Sequence, residues 1–144
     1  MEEEHITEEE LGMAMRGEFK DVKTKKHKVV LVSFGFKYGF PRCNYLFDVT
    51  FIRNPVYKKE WEHEGTNTPE MEDFITKQDR FNDAVDMIIG SAQMAAKYTP
   101  VRIGIGCSGG RHRSRAVTDY CAVVLKHEGY DVTVEHLEKN DWVM

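Results

Sequence analysis

The stretch VRIGIGCSGGRHRSR, residues 101–115, decides how the chain is read. Val101, Ile103 and Ile105 alternate with Arg102, Gly104 and Gly106, a short β-prone run that breaks at Cys107 into Ser108, Gly109 and Gly110. A strand therefore enters a tight loop. Beyond the loop, Val117, Tyr120, Cys121, Val124 and Leu125 fall at core-facing helical spacing, with Ser114 expected as the cap and Gly129 as the stop. The spacing predicts a helix over 114–128.

Strand, glycine turn and helix start form an anion site. The first N–H groups of a helix lack intrahelical partners, and the macrodipole places partial positive charge there. Gly109 and Gly110 let backbone approach a ligand, while Ser108, Arg111, His112, Arg113 and Ser114 supply donors. Phosphate uses such a cluster best, because arginine meets it with two parallel hydrogen bonds. The plainer alternative is a polar turn whose charges face water.

The chain has 144 residues, 41% hydrophobic and 31% charged, which suits one domain with a proper core. A net charge of −4 excludes nucleic-acid binding by bulk charge, so any such contact must come from a local patch. Three cysteines, Cys43, Cys107 and Cys121, are odd in number and lack metal-type spacing, as expected of free thiols in a reducing cytoplasm. No apolar run approaches the roughly 18 residues of a membrane span, and a cytoplasmic location with no membrane partner is expected.

Outward from the loop, residues 1–27 read as an acidic N-terminal arm. It carries a short helix opened by a Thr7–Glu10 capping box, then a basic linker containing Lys20, Lys23, Lys25 and Lys26 before Lys28. The domain proper is residues 28–144. KVVLVSF (28–34) is a strand buried on both faces, and YLFDVTF (45–51) is a second strand with Asp48 in its middle. Asp48 either meets a cation or points into a site, or it lies on the polar face of an edge strand. A flexible excursion is expected around Gly65. Thr68, Pro69 and Glu70 then open a long helical region to about residue 97, broken near 77–80. DVTVEHL (131–137) is the last strand. The order β, β, long α, β, α, β predicts an α/β domain. Its mostly parallel sheet of about four strands is flanked by helices, with the loop at the carboxyl end of its strand, where open sheets bind ligands.

Two functional readings compete. Cys107 and Arg113 are separated by five residues and followed by Ser114, the Cys-x5-Arg-Ser pattern of cysteine-dependent phosphatases. There a thiolate attacks phosphorus, while loop amides and arginine hold the oxygens. Against this, Gly106 stands where protein-tyrosine phosphatases carry histidine, and no acid loop is evident.

The second reading covers more of the chain. SFGFKYGFP (33–41), LFDVTFIRNP (46–55) and IGIGCSGGRHRS (103–114) resemble, in order and spacing, the C-terminal domain of the RapZ family of bacterial RNase adapter proteins. The resemblance runs from about residue 28 to 137. It implies a fold resembling part of a phosphofructokinase, a homo-oligomer, a site for glucosamine-6-phosphate, and binding of a small RNA presented to an endoribonuclease. In that family this domain follows a P-loop ATP-binding domain. No Gly-x4-Gly-Lys-[Ser/Thr] occurs here, so ATP chemistry is not carried over, and the chain is expected to be the second domain alone.

Carried over by position, the ligand set is Asp48, Asn54, Cys107, Ser108, Gly109, Gly110, Arg111, His112, Arg113 and Ser114, with Lys37 and Arg111 toward RNA. Asp48 is assigned to sugar hydroxyls or an amine, and Arg113 with the Ser108–Gly110 amides to phosphate. Val56, Thr50 and Tyr38 replace the family's usual His, Arg and His, and residues 135–142 replace a basic tail. The expectation is a non-catalytic domain that binds a phosphorylated small molecule, needs no cofactor or metal, and keeps the phosphatase reading as its alternative.

Overall fold

The computed structural model describes residues 7–15, 26–55 and 68–138. Val56, the excursion around Gly65, the basic run from Lys20 to Lys25 and the tail from residue 139 lie outside the described residues. The elements are α1 (Glu8–Met15), β1 (Val29–Gly35), a 3-10 turn (Phe36–Tyr38), β2 (Tyr45–Asp48), α2 (Pro69–Thr76), α3 (Asp79–Ala96), β3 (Val101–Cys107), α4 (Arg113–His127) and β4 (Val132–His136). The Glu10 amide donates to the Thr7 hydroxyl at 3.1 Å, so the anticipated N-terminal cap is present.

The four strands form one all-parallel sheet in the order β2-β3-β1-β4. β3 and β1 are the inner strands, and their burial follows from composition. Val29, Leu31, Ile103 and Ile105 face one side of the pleat, where they join Phe81, Ile88 and Ala92 of α3 and Val117, Cys121 and Leu125 of α4 in one core. Truncating a side chain such as Ile103 or Ile88 to Ala typically costs about 2–5 kcal/mol.

The opposite face of β3 presents Gly104 and Gly106. It is covered by the connection from β1 to β2, whose Phe36, Pro41 and Cys43 lie over Gly104 and Gly106 of β3. A Cβ at Gly104 would come within 3.1 Å of the Cys43 sulfur, and one at Gly106 within 2.7 Å of the Phe36 ring. Phe36 stacks edge-on against both Phe34 and Phe40. The glycines of β3 therefore make room for aromatic rings, a packing reason that the alternating sequence does not itself disclose.

Two boundaries differ from expectation, and the break expected near 77–80 is present. β2 ends at Asp48 rather than at 51, because the Asp48 carboxylate accepts from the Thr50 amide at 2.8 Å and the Ile52 amide turns back to the Val49 carbonyl, ending the ladder. The turn that follows is fixed, since Val49 and Ile52 are fully buried. α4 begins at Arg113 with His112 at the cap position; Ser114 lies within the first turn and serves another purpose. The long helical region is two helices, with Thr68 capping the first by accepting from Met71 and a break at residues 77–78.

Candidate functional site

The loop after β3 lies where the carboxyl ends of three strands meet. Gly106 pairs in register with Asp48 at the end of β2, and Cys107 pairs with Gly35 at the end of β1. Its contact with β1 is closer than any side chain permits. A Cβ at Gly35 would stand 2.5 Å from the Gly109 carbonyl carbon, and one at Gly110 would stand 2.5 Å from the Gly35 nitrogen. Gly110 also holds φ +72°, a conformation that side chains rarely adopt. These two glycines are required by the turn itself. The Lys37 amide donates to the Ser108 carbonyl at 3.3 Å, tying the turn after β1 to the same loop.

Arg113 fastens the loop to β2. One guanidinium nitrogen donates to the carbonyls of Thr50 at 2.9 Å and Ile52 at 3.1 Å, and the other donates to the Ser108 hydroxyl at 3.3 Å. The side chain is 6% exposed. Its fork thus spans from the turn after Asp48 to the hydroxyl at the mouth of the loop. Cys107 is 2% exposed and packed in the core, and its thiol donates to the Ser114 hydroxyl at 3.2 Å. Ser114 is buried, and its own carbonyl accepts from the Thr118 hydroxyl at 2.7 Å. Cys107 and Ser114 therefore knit β3 to the first turns of α4.

The carried-over residues divide by exposure. Ser108, Lys37 and Asp48 are exposed, Gly109, Arg111 and Asn54 are half-buried, and Gly110, His112, Arg113 and Ser114 are buried with Cys107. Asp48 is exposed at the carboxyl end of the edge strand β2, one strand away from the loop. Lys37 holds its ammonium 5.0 Å from the centre of the Tyr38 ring, a cation–π contact.

Two features on the other side of the loop escaped the sequence reading. The Glu138 carboxylate accepts from the Gly35 amide at 2.6 Å. Next to it, His136 bridges β1 and α4. The ring Nε2 meets the Asp119 carboxylate at 2.8 Å, and Nδ1 meets the Ser33 hydroxyl at 2.5 Å. With the ring proton on Nε2 facing the carboxylate, Nδ1 accepts from Ser33. Ser33 has no exposed surface, so this serine–histidine–aspartate row ties β4 in place instead of presenting a nucleophile to substrate. The available signal was a serine in the otherwise apolar β1 and a histidine at the end of β4, but their pairing depends on β4 lying beside β1.

Charge elsewhere is local. Arg102 and Glu135 reach across β1 to form a two-pronged ion pair, and the hydrogen bond from Arg102 holds the Glu135 carboxyl below the usual carboxylate range. Burial lowers the Arg115 guanidinium and pushes the Cys121 thiol up to about 12. Among the described residues, no helix is long and apolar enough to cross a membrane.

A family model of the RapZ C-terminal domain matches residues 27–140, from the root of β1 past the end of β4. The chain belongs to the RapZ C-terminal domain family. Its relatives include a nucleotide-binding protein of Thermotoga neapolitana, 33% identical over 94% of this chain and 50% of that protein. A nucleotide-binding protein of Clostridium botulinum is 34% identical over 78% of this chain and 41% of its own length. One of Ruminiclostridium cellulolyticum is 35% identical over 88% of this chain and 46% of its own. The chain spans about half the length, or less, of these curated relatives. The matched region of this RapZ domain contains the whole sheet and the 107–114 loop, whereas α1 lies outside it.

Proposed function

We propose that this domain binds a phosphorylated small molecule, an amino-sugar phosphate such as glucosamine-6-phosphate, at the carboxyl edge of its sheet. The observation that carries the reading is an exposed Ser108 and the Gly109–Gly110 turn ahead of α4 beside the end of β2, where Asp48 is exposed, with one buried arginine bonding Ser108 to the turn that follows Asp48. Ser108, the loop amides, Arg111 and the start of α4 supply the phosphate side. Asp48 accepts from a sugar hydroxyl or amine, with Asn54 in the adjoining turn. Arg113 acts by aiming Ser108 and fixing the Asp48 turn. That is a narrower role than direct phosphate capture, and it follows from the two carbonyls its fork already serves.

Binding is favoured over phosphoryl transfer at Cys107. A nucleophilic thiolate must be open to the phosphorus it attacks, and this thiol is enclosed in the core against Ser114. The family relationship adds a regulatory role to the proposal: contact with a small RNA through the exposed Lys37 and the half-buried Arg111, presentation of that RNA to an endoribonuclease, assembly into a homo-oligomer and a cytoplasmic location. That the relatives are nucleotide-binding proteins makes a nucleotide the competing phosphorylated ligand.

A thermal-unfolding titration with glucosamine-6-phosphate, glucosamine, inorganic phosphate and ATP in parallel tests the reading. At about 100 times its dissociation constant a ligand adds about 2.7 kcal/mol, a rise of several degrees for a chain of this size. The expected result is a larger rise with the amino-sugar phosphate than with phosphate or glucosamine, lost in Ser108→Ala and reduced in Asp48→Asn. A rise with none of the four, or one unchanged in both variants, overturns it.

A further inference from the structure

The Gly109–Gly110 turn has an anion beside it that belongs to the chain. The Gly35 amide, which faces the β4 side at the end of β1, donates to the Glu138 carboxylate at 2.6 Å. The Cγ of the same side chain stands 2.8 Å from the point where a Gly110 Cβ would be, and that point is 2.5 Å from the Gly35 nitrogen. Glu138, Gly35 and the turn thus share one contact, with the carboxylate against the turn that leads into α4. A phosphate entering the turn meets this charge at short range, and two like charges in close contact repel.

We propose that Glu138 is a resident competitor of the phosphate site: a phosphorylated ligand gains the loop by displacing the Glu138 carboxylate from Gly35. The inference rests on the loop being a phosphate site and adds its regulation from within the chain. The root of the competitor is fixed. The Leu137 amide donates to the Ser33 carbonyl at 3.0 Å, and His136 is held by Ser33 and Asp119, so β4 keeps its place when Glu138 swings out. Only the Glu138 side chain needs to move. Occupancy of the loop is thereby coupled to release of the Glu138 carboxylate from Gly35, the reciprocal link that allows one event to report on the other.

Glu138→Gln keeps size and an acceptor for Gly35 while removing the charge, and Glu138→Ala removes the arm. Affinities for glucosamine-6-phosphate and inorganic phosphate are measured by calorimetry in the wild type and both variants, and the Gly35 amide resonance is followed during each titration. The expected result is binding at least about fivefold tighter in both variants, a typical coupling between linked sites. The wild-type Gly35 resonance is expected to shift on ligand addition toward its position in Glu138→Ala. Equal or weaker binding in the variants overturns the competition while leaving the site intact. No binding by any of the three proteins overturns the site itself, and the competition with it.

Discussion

The two sides of the 107–114 loop are held by opposite means. Toward β2, a cation donates three hydrogen bonds from a nearly inaccessible position, two of them to carbonyls of a turn whose Val49 and Ile52 are themselves core residues. Toward β4, a half-buried anion accepts from a single amide. Losing the first strands several acceptors at once and frees a turn, whereas losing the second removes the acceptor of one N–H, which an incoming anion can replace. The comparison separates framework from moving part: the β2 side sets the shape of the site, and the β4 side is free to change state.

The sharpest way to break that division is through the turn that both sides share. Gly110→Ala forces a Cβ to within 2.5 Å of backbone at a positive φ, so neither a rotamer change nor a small shift relieves it. A loss of about 3 kcal/mol or more in chemical denaturation is expected, together with loss of ligand-induced stabilisation. Arg113→Ala comes next. It should cost about 2–4 kcal/mol, because removing a buried, hydrogen-bonded charge strands its partners. Arg113→Lys should recover only part of this, since an ammonium cannot reproduce the fork. If Arg113→Ala unfolds at the wild-type denaturant midpoint, the β2 side is not framework and the comparison fails.

How much of this was legible in the sequence follows from the range of each interaction. The strand–loop–helix at 101–127, the Thr68 cap and the Gly129 stop depend on neighbours within a few positions, and pattern alone located them to within a residue or two. The parallel sheet followed from the same elements through their order. What escaped involved distant partners. Glu138 reaches Gly35, Ser33 meets His136, and Arg113 finds the carbonyls of Thr50 and Ile52, contacts that backbone topology creates and that no periodicity encodes. The Arg113 case is instructive. Residue type and spacing placed a guanidinium at the 107–114 loop, but acceptors from the turn after β2 claim one of its nitrogens. The shortened β2 had a local cause, an aspartate folding back on its own backbone.

A smaller effect sharpens the same division at its root. Cys107 and Cys121 lie on the helix-covered side of the sheet, while Cys43 is half-buried on the face covered by the β1–β2 connection. Burial raises the Cys121 thiol to about 12. A folded-state value raised above the ordinary thiol range gives a stability contribution that is complete below about pH 8.5 and is lost as pH rises toward 12. Brief alkylation with iodoacetamide at pH 8, read by mass spectrometry, should therefore modify Cys43 first and leave Cys121 and Cys107 untouched until denaturant is added. Rapid labelling of Cys107 in the folded protein would return the phosphatase reading to consideration.

The central claim is that the carboxyl edge of the sheet receives a phosphorylated ligand between the loop and Asp48. Amide-resolved titration of the wild-type domain with glucosamine-6-phosphate, against glucosamine and inorganic phosphate, tests it most directly. The predicted result is saturable shifts at Ser108–Arg111, Gly35 and Lys37 with either phosphate-bearing compound, joined by Asp48–Thr50 when the amino sugar is attached. Saturable shifts confined to another face of the sheet, or none with either phosphate, would contradict the account.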